Sequence, residues 1–102
     1  VADLILPVKR IYFGQMRDGT KTEEFRLTTD FWRRRLEGRE YARVVITLGY
    51  PKRDDAARRL VFPWRGYTVK TLTHPHFGAH PVEVFAIAVR SAAQNKEKPN
   101  HG

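Results

Sequence analysis

Residues 19–26 read Gly19-Thr20-Lys21-Thr22-Glu23-Glu24-Phe25-Arg26, which sets an ammonium, two carboxylates and a guanidinium around one aromatic ring. On an extended strand Thr22, Glu24 and Arg26 share one face, and Glu23 and Phe25 take the other. That alternation makes Phe25 the expected core anchor. If Glu24 and Arg26 line a cleft, each needs the other or a ligand, because a lone buried charge costs several kcal/mol. Lys21, in the turn before the strand, is free to reach the cleft mouth. Such a set has a chemistry: Lys21 offers a cation to a phosphate or a base carbonyl, Glu24 accepts from a base amino group, and Arg26 orients Glu24. The alternative is a structural Glu24–Arg26 pair with Lys21 simply exposed.

Stacking faces for an unpaired base are available from Tyr12, Trp64 and Tyr67, each such contact being worth roughly 1–3 kcal/mol. The hydroxyls of Tyr12 and Tyr67 favour a wet edge, so these two are the cleft candidates. Phe13, Phe31, Phe62 and Phe85 are expected in the core, and Trp32 against the second helix. Arg33, Arg34, Arg35, Arg39, Arg43, Lys52, Arg53, Arg58 and Arg59 are either a positive rim that contacts phosphates without reading sequence or a set of separate solvated charges. Neutralising about four phosphates of a single strand would give a log–log salt slope near about −3. His74, His76 and His80 follow a His-x-His-x-x-x-His spacing that can converge on zinc. With Pro75 inside the run, Pro81 directly after it and no cysteine in the chain, a rigid turn with polar edges is preferred, and no metal or cofactor is expected.

These residues must be positioned by a single domain, since 102 residues support one core. The expected domain spans residues 1–90, followed by a flexible tail at 91–102 with almost no large apolar residue. The absence of cysteine excludes disulfides and thiol nucleophiles. No apolar run approaches the roughly 20 residues that cross a bilayer, and the start lacks a secretory pattern, so a cytoplasmic monomer without membrane contact is expected. Nineteen Lys and Arg against eleven Asp and Glu give a net charge of +8. That field attracts polyanions, and the predominance of arginine suits phosphate recognition by a planar fork.

Apolar runs at Leu4–Leu6, closed by Pro7, and at 22–27, 43–50, 59–64, 67–73 and 82–89 predict strands. Residues 8–18, stopped by Gly19, and 31–37, stopped by Gly38 and capped from Thr28, Thr29 or Asp30, predict short helices. Arg65-Gly66 is compatible with a hairpin between its flanking strands, and Pro63 favours an edge or a strand end. Val82–Val89, apolar on both faces, should be central. The expected fold is mainly β with two short helices, a small and largely antiparallel β-barrel whose closure protects its edges.

The run Gly19-x-Lys21-x-x-Glu24-x-Arg26 resembles the signature of the activating-signal-cointegrator homology (ASCH) family, part of the PUA-like group, at all four marked positions. Upstream, LPVKRIYFGQMRDG is similar to that family's first strand, basic turn and first helix, with Tyr12 before the lysine. WRRRLEGREY and ITLGYP look like a phage and bacterial subgroup. The resemblance implies a PUA-like barrel with a cleft beside the signature, and binding or processing of RNA or nucleotides. Residues expected to bind nucleic acid are then Lys21, Glu24, Arg26, Tyr12, Tyr67, Arg33, Arg34 and Arg53.

Some members resembling this chain cleave RNA or remove an acyl group from cytidine. In that case Lys21, Glu24 and Tyr12 are the catalytic candidates, Lys21 acting as a base if its pKa is lowered. The acyl hydrolases have threonine three positions after the lysine, where this chain has Glu24, and the one serine, Ser91, lies near the tail. Binding therefore ranks above catalysis. A third reading is an adaptor whose arginines meet an acidic protein.

Overall fold

The structure, a computed structural model, describes residues 2–91. Strand β1 (Leu4–Val8) leads to helix α1 (Arg10–Asp18), strand β2 (Glu23–Leu27), helix α2 (Asp30–Leu36) and strand β3 (Arg43–Leu48). After a short 3₁₀ turn at Ala56–Arg58 come β4 (Arg59–Pro63) and β5 (Tyr67–Leu72), a second 3₁₀ turn at Pro75–Phe77, and β6 (Val82–Ala88). Apart from Ser91, the expected tail lies outside the described residues.

The expected closed barrel is not what forms. Among the described residues six strands make two open three-stranded sheets, ordered β1-β3-β4 and β2-β6-β5. Strand β1 pairs with β3 in parallel across the α1-β2-α2 segment, and the other three pairings are antiparallel. The expected hairpin across Arg65-Gly66 is also replaced. Pro63 ends β4 opposite Arg43, Gly66 turns the chain at φ 76°, and Tyr67 begins pairing in the other sheet opposite Ile87. The chain thus changes sheets where a hairpin would have stayed in one.

Pro7, expected to stop the first strand, lies within it. Strand β1 is at the edge of its sheet, where a missing N–H is tolerated. Pro63 likewise falls at the end of the edge strand β4. The helices follow their signals. Gly19 closes α1 in the left-handed conformation at φ 85°, and the Thr29 hydroxyl caps α2 by accepting from the Trp32 N–H.

Leu4, Leu6, Val44, Ile46 and Phe62 from one sheet bury against Phe85 and Ile87 from the other, with Phe13 and Met16 of α1 and Leu36 of α2 closing the core. Strand β6 is the expected central strand, with Val84, Phe85, Ala86 and Ile87 all buried. Two aromatic assignments change. Phe31 is 50% exposed, with its face 3.8 Å from the Arg35 guanidinium carbon. Phe25 is only half-buried, because the register sets Glu24 opposite Ile87 and Arg26 opposite Phe85. Directly paired residues share a face. The charged members of the signature therefore turn toward the core side of the sheet, and Phe25 turns to the other.

Candidate functional site

The last turn of α1 places the lysine. With Gly19 left-handed, the N–H groups of Thr20 and Lys21 both donate to the Gln15 carbonyl, at 2.9 and 3.1 Å, and the Thr20 hydroxyl donates to the same oxygen at 3.2 Å. Lys21 then extends over aromatic faces, its Nζ 4.3 Å from the ring centre of Phe25 and 5.4 Å from that of Tyr12. Cation–π attraction of this kind offsets part of the cost of leaving water. Only 11% of the Lys21 side chain is exposed, and Nζ lies 4.0 Å from Glu24 Oε1.

Glu24, 8% exposed, is one of two polar residues in the buried class among the described residues, the other being Thr47. Its Oε2 accepts from Arg26 Nη2 at 2.9 Å, and the same Nη2 donates to the Pro7 carbonyl at 2.8 Å. Pro7 is on β1 and Arg26 on β2, both edge strands of their sheets. A guanidinium thus spans the seam at which a closed barrel would have had a strand ladder. The Trp32 ring lies 5.0 Å from the Arg26 guanidinium carbon, while Nε is buried with no hydrogen-bond partner among the described residues. The fork is fixed by Nη2 and by the indole face.

Burial raises the Glu24 pKa, opposed by Arg26 and Lys21. Burial likewise lowers that of Lys21, opposed by Glu24 and Glu23. For each charge the neighbours oppose the effect of burial, so replacing one disturbs the others.

These three side chains line a cavity of about 470 Å³, within the size range of small-molecule sites. Tyr12, Phe25, Trp32 and Phe77 supply aromatic surface to it, and His74 and His76 come from the turn before β6. His74 Nδ1 accepts from the His76 N–H at 3.1 Å, leaving Nε2 to hold the ring proton in the neutral form. Tyr12 lies 5.6 Å from the ring of His74 and 5.8 Å from that of His76. Both histidines are held below the ordinary pKa first by partial burial, then by nearby cations: Lys21 for His74, and Lys9, Arg26 and Lys21 for His76. His80 is exposed and does not line the cavity. Among the described residues no group of three or more His, Asp or Glu could hold a metal ion.

Of the residues singled out from sequence, Lys21, Glu24, Arg26 and Tyr12 come together. Tyr67 does not join them. Its ring packs edge-on against Phe85 at 5.0 Å, and Trp64 packs against Tyr41 at 5.1 Å. Arg33 and Arg34 are exposed on α2, and Arg53 is exposed in the loop after β3. None of the three lines the cavity. Sequence reading passed over Trp32, Tyr50, Phe77 and Lys9, which do. The signal for Trp32 was its place beside the arginine run. For Phe77 it was the rigid turn His74-Pro75-His76-Phe77-Gly78, in which the ring follows the second histidine directly.

No helix among the described residues is long and apolar enough to cross a membrane. Comparisons with protein-family models, curated proteins and solved structures found no match to this chain.

Proposed function

We propose that the protein binds RNA or a nucleotide, taking a base into the cavity beside Lys21, Glu24 and Arg26. The observation that supports this most is the joining of an inward-facing carboxylate and two cations to aromatic walls in one hollow large enough to admit a nucleobase. A base has two apolar faces and a polar edge. Tyr12, Phe25 and Trp32 suit the faces; Glu24 suits an amino group and Lys21 a carbonyl or phosphate. The net charge of +8 adds attraction for the backbone. The likeness of Gly19, Lys21, Glu24 and Arg26 to the ASCH signature points the same way.

The test is binding of labelled single-stranded RNA against duplex DNA, with Lys21→Ala, Glu24→Gln as a double variant. Loss of affinity in a variant that still folds supports the cavity, and unchanged affinity refutes it. A second reading, hydrolysis of RNA or of acylated cytidine, is favoured by the burial that lowers the Lys21 pKa, since a general base needs such a shift. Product analysis after long incubation, with acetylated cytidine among the substrates, decides it.

A further inference from the structure

Tyr50 is 92% exposed and yet lines the cavity, which puts an uncovered aromatic ring at its rim. Its exposure is not the result of an untethered loop. Gly49, at φ 65°, donates its N–H to the Val8 carbonyl at 3.2 Å, and its own carbonyl accepts from the Thr47 hydroxyl at 2.7 Å. On the far side, Arg59 Nη2 donates to the carbonyls of Pro51 at 3.4 Å and Lys52 at 3.0 Å. The backbone is fastened before and after Tyr50, and the ring is left facing water.

Around it the charges are unspent. Lys9 lines the same cavity, Lys52 and Arg53 follow Tyr50 in the chain, and all three are exposed. None is ion-paired with a carboxylate among the described residues, unlike Arg17, Arg33, Arg43, Arg58 and Lys70. A presented aromatic face next to unpaired cations is what a stacked base and its phosphates require.

Resting on the reading of the cavity as a base site, we infer that Tyr50 is the platform for the neighbouring base of a strand. Lys9, Lys52 and Arg53 hold the phosphates on either side. The ligand is then single-stranded RNA of two or more nucleotides, and a free nucleotide fills only half of the site.

The experiment measures anisotropy of fluorescein-labelled single-stranded pentaribonucleotides, with competition by ribonucleoside 5′-monophosphates. Tyr50→Ala should weaken strand binding by about 5- to 150-fold, leave monophosphate competition within about twofold, and be rescued by Tyr50→Phe. The paired change Lys52→Ala, Arg53→Ala should flatten the strand's log–log salt slope by about 1.4. Unchanged strand affinity in Tyr50→Ala overturns the inference, as does equal weakening of strand and monophosphate, or a monophosphate that binds the unaltered protein as tightly as the strand. If Lys21→Ala, Glu24→Gln abolishes binding while Tyr50→Ala does nothing, the cavity reading stands and this inference falls. If that double variant binds normally, both fall.

Discussion

Arg26 and Arg33 each face a glutamate, and the two pairs behave as different objects. Arg26 meets Glu24 at 2.9 Å with both side chains largely buried, and its second bond ties β2 to β1. Arg33 meets Glu37 at 3.7 Å on an exposed turn of α2, with about half of each side chain in water. In water the attraction is screened and side-chain freedom is lost for little gain. At the seam, solvent cannot substitute for a missing partner. Charge identity is therefore a poor guide to role in this protein, and position relative to the gap between the sheets is a good one.

The sharpest way to break the comparison is to remove the acid from each pair. Glu24→Leu leaves Arg26 and Lys21 buried without their carboxylate, and should cost about 3–5 kcal/mol by urea unfolding. Glu24→Gln should cost less, because the amide oxygen still accepts from Nη2. A step below is the turn that delivers Lys21. Gly19→Ala forces a Cβ into the left-handed region and should cost about 1–2 kcal/mol, with nucleotide binding weakened along with stability.

Lys21 also leaves a pH signature. Its folded-state pKa is lowered by burial, so the unfolded chain binds more protons in that range. Its contribution to stability is therefore lost as pH falls through the folded-state value and fully present above the ordinary lysine pKa of about 10.4. Across that window the stability of the unaltered protein should rise with pH relative to Lys21→Met. Parallel curves would show the ammonium to be solvated.

On the exposed side the effects are smaller. Arg34→Ala should leave stability within about 0.5 kcal/mol while reducing the salt slope of strand binding by about 0.7 if that residue meets a phosphate. Glu37→Ala should cost about 0.3–0.5 kcal/mol or less in the same urea titration, the range of a solvated pair one helical turn apart.

Local signals were legible in the sequence. Gly19 marked the end of α1, one of the three candidate caps proved to be Thr29, and the apolar run at 82–89 announced a central strand. What could not be read was which strand meets which. Arg65-Gly66 looks like a hairpin connection because a turn is local, whereas the pairing of Tyr67 with Ile87 rather than with Trp64 across the turn is settled by burial across the whole domain. The same limit reversed Phe25 and Glu24. Alternation established that they lie on opposite faces, and hydrophobicity suggested the wrong one as inward. Only the partners on β6, Ile87 and Ala86, fix the direction. The motif was legible for this reason, but the walls supplied by Trp32 on α2 and Phe77 in the turn before β6 were scattered along the chain.

The place of β6 between β2 and β5 has a temporal side. Within the described residues both outer strands of that sheet pair with Val82–Ala88, so neither can be completed until this last strand has left the ribosome. The sheet holding β1, β3 and β4 has its full complement by Pro63. A chain released after Leu72 lacks β6 and leaves Glu24 on a bare edge, so it should aggregate more readily than the full chain.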